Sequence, residues 1–233
     1  MVEAEWWEYD SLEEMAEAVA GDVGFIVESA LDARSAALIA IPGGKTQLAV
    51  YAKLAAKKLQ WKQVTIIPTD DRLVPVDDEL SNVRAIAKTF LPTGARVIPI
   101  TSGAEDYKLA GSAADARLQD LPWPPDLVWL GMGEDGHTAS ILNGPDLQTA
   151  LDAPKARRAV GVMPDPMPSE AAVPRVTLTR AAILSARTVL ITIAGDKRRE
   201  LLERAIEDGQ SSKLPTGRVL AEAEQPIDIH WAP

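Results

Sequence analysis

The chain has 233 residues, 46% of them hydrophobic, no cysteine and a formal net charge of −10. That length and apolar content suit one large α/β domain spanning residues 1–233. The absence of cysteine excludes disulfides, thiolate nucleophiles and cysteine-ligated zinc. The acidic balance argues against a nucleic-acid partner, which calls for a basic face. No apolar run approaches the ~18 residues of a membrane span, and the first ten residues are acidic where a signal peptide would be basic. A cytoplasmic protein without membrane or nucleic-acid partners is the expectation.

In chain order, Ser11 and Glu14 form a capping box, and Leu12, Met15, Ala16 and Val19 follow at helical spacing, so a first helix starts there. Five short apolar runs rich in β-branched residues predict strands at 36–41, 64–67, 97–100, 127–130 and 188–193. Between them, helices are predicted at about 46–59, 81–90, 104–120 and 196–208. The alternation predicts an α/β fold built on an open, mainly parallel sheet. Residues 154–174, with Pro164, Pro166 and Pro168, read as a surface loop.

In open α/β sheets, ligands bind beyond the carboxyl ends of the strands. Three polar or glycine-rich segments each follow a predicted strand: Gly43-Gly44-Lys45-Thr46, Thr69-Asp70-Asp71-Arg72 and Gly131 to Thr138. They are expected to converge on one edge. The first resembles a phosphate-binding P-loop, but the G-x-x-x-x-G-K-[ST] pattern needs a glycine where Ile39 stands. What remains is a turn whose Gly43 and Gly44 expose N–H groups at a helix N-terminus, with the Thr46 hydroxyl beside them, enough to cradle one phosphate. Gly131-Met-Gly-Glu-Asp-Gly136 matches G-x-G-x-x-G, yet Asn143-Gly144-Pro145 would stop the following helix after roughly two turns, unlike a dinucleotide site.

His137 is one of two histidines and shares this glycine-rich turn with Asp135, a combination suited to a general base and its orienting partner. His230, in a strand-like C-terminal segment without such company, reads as structural. Asp70, Asp71, Arg72, Arg175 and Lys197 are compatible with either ligand binding or ordinary capping and solvated charge, and their positions alone do not choose.

Taken in order, Pro42–Thr46, Thr69–Pro75 with Ser81-Asn82, Leu130–Ser140, Pro174–Thr179 and Gly195–Lys197 resemble the 6-phosphogluconolactonase family of the glucosamine-6-phosphate deaminase/isomerase superfamily. The resemblance spans residues 36 to 210. It implies a single open sheet flanked by helices, of the glucosamine-6-phosphate deaminase/ribose-5-phosphate isomerase type. It also implies hydrolysis of 6-phospho-D-glucono-1,5-lactone with no metal or organic cofactor. His137 would activate the water, with Asp135 as the partner that orients the imidazole, and Gly43, Gly44, Thr46, Asp70, Arg72, Arg175 and Lys197 would bind the sugar phosphate. This chain departs from the family in having Lys45-Thr46-Gln47 where Ser-Thr-Pro is usual, and Asp71 where glutamate is usual. Two alternatives stand beside this reading. A hexosamine-6-phosphate deaminase or isomerase would carry a glutamate at the position of Leu142, and a non-enzymatic sugar-phosphate sensor would need neither Asp135 nor His137.

Overall fold

A computed structural model describes residues 2–101 and 106–233, with the backbone only of Lys45. In chain order the elements are β1 (Ala4–Glu8), α1 (Leu12–Arg34), β2 (Ala37–Ile41), α2 (Lys45–Ala55), β3 (Val64–Pro68), β4 (Asp70–Arg72), α3 (Asn82–Phe90), β5 (Arg96–Val97) and α4 (Tyr107–Gln119). There follow β6 (Leu127–Gly131), α5 (Leu147–Leu151), β7 (Ala159–Val162), β8 (Arg175–Leu178), α6 (Arg180–Leu184), β9 (Thr188–Ala194), α7 (Asp196–Asp208), α8 (Pro215–Leu220) and β10 (Ile227–Ala232). Ser11 caps α1 by accepting the Glu14 N–H. The Ala104 start expected for the fourth helix lies outside the described residues.

Seven parallel strands form the main sheet in the order β1-β10-β9-β6-β2-β3-β5. The central strands β2 and β6 are apolar throughout because both faces are covered, and successive side chains go to opposite cores. In β6, Leu127 and Trp129 join the core under α1, α2 and α3, while Val128 and Leu130 join the one on the far side. Ala37, Ile39 and Ile41 of β2 divide from Leu38 and Ala40 in the same way. Among the described residues no helix is long and apolar enough to cross a membrane.

Four expectations are corrected. The predicted strand at 97–100 shrinks to Arg96–Val97, because Pro99 has no N–H for the ladder, although Ile98 still donates to Ile66 O at 2.9 Å. The stretch 154–174 is not all loop. It contains β7, which is fully buried and pairs antiparallel with β8, and β8 pairs with β4 to make a second, three-stranded sheet. Gly161 allows this burial, since a Cβ there would lie 1.8 Å from the Tyr107 carbonyl oxygen on α4. The second helix ends at Ala55, short of residue 59. No helix follows Gly136; a tight turn with a Thr138–Ile141 bridge leads instead to α5.

Candidate active site

The carboxyl ends of β2, β6 and β9 and the antiparallel pair β4–β8 surround a cleft of about 330 Å³. It is lined by residues of all three segments expected to converge: Gly43, Gly44 and Thr46, Asp70 with Arg72, and Gly131, Met132, Gly133 and His137. Gly43, Gly44, Thr46, Asp70, Arg72, His137 and Arg175 all reach its wall.

Helix α2 starts at the cleft with Gly44 as its N-cap, which brings no side chain to satisfy the first-turn N–H groups. The Gln47 N–H reaches the Gly44 carbonyl at 3.2 Å, while the N–H groups at the two positions before it precede any intrahelical acceptor and carry the positive end of the helix dipole. The glycine at 43 is required by close approach, because a Cβ there would lie 2.0 Å from Asn82 Oδ1.

Asn82 belongs to a network that Asp71 organises. Asp71 is fully buried and accepts backbone N–H groups from Arg72 at 2.9 Å, Asn82 at 2.6 Å and Val83 at 3.0 Å, plus the Ser81 hydroxyl at 3.1 Å. It thereby caps α3. Burial pushes its carboxyl up to about 6 against the opposing pull of these N–H donors. Asn82 in turn donates to the Asp70 carbonyl at 2.8 Å and accepts from Arg72 Nη1, which fixes the guanidinium at the cleft. The carboxylate of Asp70 takes the Thr69 hydroxyl at 3.0 Å and the Ser140 hydroxyl at 2.5 Å.

Arg175 is 3% exposed and, among the described residues, its Nε is buried without a hydrogen-bond partner. Burial pulls it below the usual guanidinium range; the charge of Asp70 opposes that and the charge of Arg72 reinforces it. Arg72 Nε is also buried without a partner. Buried donors of this kind are costly unless satisfied, and an anion in the cleft is the natural acceptor.

Lys197 does not join them. Its side chain is largely exposed and its Nζ donates to Glu134 at 2.9 Å outside the cleft wall. The next residue, Arg198, lines the cleft instead, braced by Ala194 O at 3.1 Å. Sequence reading missed it because the two cations are adjacent in the first turn of α7. Gln47, Asn82 and Thr192 also line the cleft. The side chain of Lys45 lies outside the described residues. Three guanidinium groups and a helix N-terminus therefore face a cavity on an acidic protein.

On the opposite wall, His137 Nδ1 lies 2.5 Å from Asp135 Oδ1, which also accepts the His137 backbone N–H at 3.2 Å. Partial burial pushes the Asp135 carboxyl up, but hydrogen bonding to His137 and its charge outweigh this and leave it below its usual value. An ionised carboxylate only accepts, so the proton between the two belongs on Nδ1 and leaves Nε2 as the ring's free base. Gly133 makes room for the imidazole, since a Cβ there would be 2.3 Å from His137 Cε1. The turn is pinned from α8, where the N–H and hydroxyl of Thr216 both donate to Gly136 O at 2.9 and 2.8 Å. Ala139 holds a left-handed φ of 48° in the cleft wall, a strained conformation common at functional turns. Leu142 is buried outside that wall, and His230 is buried far along β10, where Tyr9 Oη meets its Nδ1 at 2.8 Å. Among the described residues no group of three acidic or histidine side chains is arranged to hold a metal ion.

Comparison with known proteins gives a consistent result. Residues 10–231 match the family described as glucosamine-6-phosphate isomerases/6-phosphogluconolactonase. A 6-phosphogluconolactonase of Rhizobium meliloti is 37% identical over 94% of both chains, and one of Mesorhizobium japonicum is 34% identical over 98% of this chain and 95% of its own. The crystal structure of a 6-phosphogluconolactonase from Shewanella baltica superposes with a TM-score of 0.92 at 27% identity, covering 99% of this chain and 98% of that one. A monomeric glucosamine-6-phosphate deaminase, 17% identical with a TM-score of 0.77, shares the fold. The chain belongs to the glucosamine-6-phosphate isomerase/6-phosphogluconolactonase family.

Proposed function

We propose that this protein hydrolyses 6-phospho-D-glucono-1,5-lactone to 6-phospho-D-gluconate, with His137 as general base. The observation that carries the proposal is the placement of an Asp135-oriented imidazole across one cleft from a helix N-terminus and three guanidinium groups. The names of the relatives supply the substrate.

The phosphate is assigned to the first-turn N–H groups of α2, the Thr46 hydroxyl and the guanidiniums of Arg72, Arg175 and Arg198. Arg198 takes the role expected of Lys197. With the phosphate held there, the lactone ring extends toward His137. Nε2 removes a proton from water as its oxygen attacks the lactone carbonyl, and Asp135 stabilises the imidazolium that forms. The oxyanion that forms is assigned to backbone N–H groups at the cleft. When the tetrahedral intermediate collapses, the ring C–O bond breaks and the imidazolium returns the proton to the leaving ring oxygen. Histidine, carboxylate and water complete the reaction without a metal or organic cofactor.

Leu142 supports the lactonase over the deaminase, because a leucine cannot move the proton that ring opening requires. The test is lactone turnover measured above the spontaneous rate, with chelator present, alongside ammonia release from glucosamine 6-phosphate. Lactone turnover without ammonia is expected. Ammonia release, or no acceleration over buffer, overturns the proposal.

A further inference from the structure

Nothing in the reaction above uses the side chain of Gln47. It is 4% exposed yet reaches the cleft wall, on the first turn of α2. Its Nε2 donates to Thr192 Oγ1 at 2.7 Å, and the same oxygen accepts Trp129 Nε1 at 3.0 Å. The carboxamide is therefore anchored to β9 from below. Two glycines leave it room, because a Cβ on Gly44 would lie 2.2 Å from Gln47 Oε1 and one on Gly131 would lie 3.1 Å from Nε2. The amide plane is thus wedged between the phosphate turn and the start of the turn that carries His137. Among the described residues its Oε1 has no donor, while Nε2 gives one of its two hydrogens to Thr192.

We infer that Gln47 is a specificity-determining residue whose Oε1 accepts a hydrogen bond from a ring hydroxyl of the bound sugar phosphate. The inference deepens the lactonase reading but needs only that the cleft bind a phosphorylated sugar ring. The chemistry leaves one class of partner on the substrate. An amide oxygen is an acceptor with partial negative charge, so a phosphate oxygen repels it and a lactone carbonyl cannot donate to it. A neutral amide is also no base. The hydroxyls are the substrate's only donors. A carboxamide held by a buried anchor loses little freedom on accepting one, and a site built to bond a hydroxyl discriminates strongly against ligands that lack it.

The experiment is calorimetric titration of wild type and Gln47→Met with glucose 6-phosphate and, separately, inorganic phosphate, together with steady-state kinetics on the lactone. Methionine keeps length and volume but removes the acceptor. Binding of glucose 6-phosphate should weaken roughly tenfold, binding of inorganic phosphate should stay within twofold, and kcat/KM on the lactone should fall by a similar factor, mainly through KM. Retained phosphate binding reports that the site is folded, and Gln47→Leu serves if the methionine variant does not fold. Equal weakening for both ligands would mean that Gln47 only supports the phosphate turn, and unchanged binding of both would mean that it contacts nothing. A loss confined to kcat would assign it to the attacking water. Each of these three results overturns the inference. A wild-type protein that binds glucose 6-phosphate more tightly than phosphate, loses that advantage in Gln47→Met and yet turns over no lactone would remove the lactonase reading while leaving this one intact.

Discussion

Asp71 Oδ1 accepts the backbone N–H of Asn82 at 2.6 Å, and through that bond a buried carboxylate sets the position of a cleft-lining guanidinium. This aspartate caps α3, and Asn82 carries its influence to Arg72. Asp71→Ala leaves three backbone N–H groups and the Ser81 hydroxyl without their acceptor, at a cost of about 3 kcal/mol. For a chain of this size that corresponds to a fall of roughly 6–12 °C in Tm. Calorimetric melting checks it, and a shift under 2 °C would show that water replaces the carboxylate freely.

The Asp135–His137 pair predicts two unequal losses. His137→Ala should lower kcat by about 10²- to 10⁴-fold with little change in KM, the usual range for a positioned general base. Asp135→Asn keeps the shape but not the charge that stabilises the imidazolium. Because Asp135 is largely exposed, its loss should be smaller, ~10²-fold or less. Steady-state kinetics on the lactone separates the two. Asp135→Asn matching His137→Ala would make the carboxylate an equal partner in the chemistry.

How much of this was legible depends on where the information sits. The strands β2 and β6 were readable because both their faces are buried, which forces continuous apolar runs. The glycine-rich turns were readable because close approach permits no other residue at Gly43 or Gly133. By contrast β7, Ala159-Val-Gly-Val162, is too short and too small in its side chains to stand out among prolines, and its burial depends on α4 arriving from elsewhere in the chain. Strand β1 is an acidic edge strand, Ala4-Glu-Trp-Trp-Glu8, whose pairing with β10 is entirely non-local. Lys197 and Arg198 differ by one helical step, roughly 100° around α7, and only the packing of that helix decides which one faces the cleft.

That register gives a direct test among the cations. Arg72→Ala, Arg175→Ala and Arg198→Ala should each lose roughly 10- to 150-fold in kcat/KM on the phosphorylated lactone, the worth of one charge-assisted hydrogen bond. Unphosphorylated gluconolactone should scarcely respond. Lys197→Ala should lose about threefold or less, since an exposed ion pair with Glu134 contributes little. If Lys197→Ala loses tenfold while Arg198→Ala does not, the lysine swings from Glu134 to the phosphate and the assignment reverses.

His230 predicts a pH effect on stability that is separate from catalysis. It is buried in β10, stacked against the rings of Trp7 and Tyr9, and burial pulls its imidazole down to about 4 from an ordinary 6.5. With the folded value below the unfolded one, the unfolded chain binds the extra proton between those limits. The stability that His230 contributes is therefore complete above pH 6.5 and lost as pH falls toward 4. The shift corresponds to about 3 kcal/mol. Asp71 acts in the opposite sense, because its carboxyl is raised to about 6 and its contribution fades as pH rises from about 4 to 6. The two slopes partly cancel in the wild type, so the informative quantity is a difference. His230→Gln removes the titrating ring while keeping an acceptor for the Tyr9 hydroxyl. Urea unfolding at pH 7 and pH 4 should show the wild type losing about 3 kcal/mol relative to this variant on acidification. The variant's constant offset at pH 7 does not enter the comparison. Parallel pH profiles for the two proteins would mean that His230 titrates alike in the folded and unfolded chain, and that its burial in β10 is relieved by Asp22, whose Oδ2 lies 3.9 Å from Nε2.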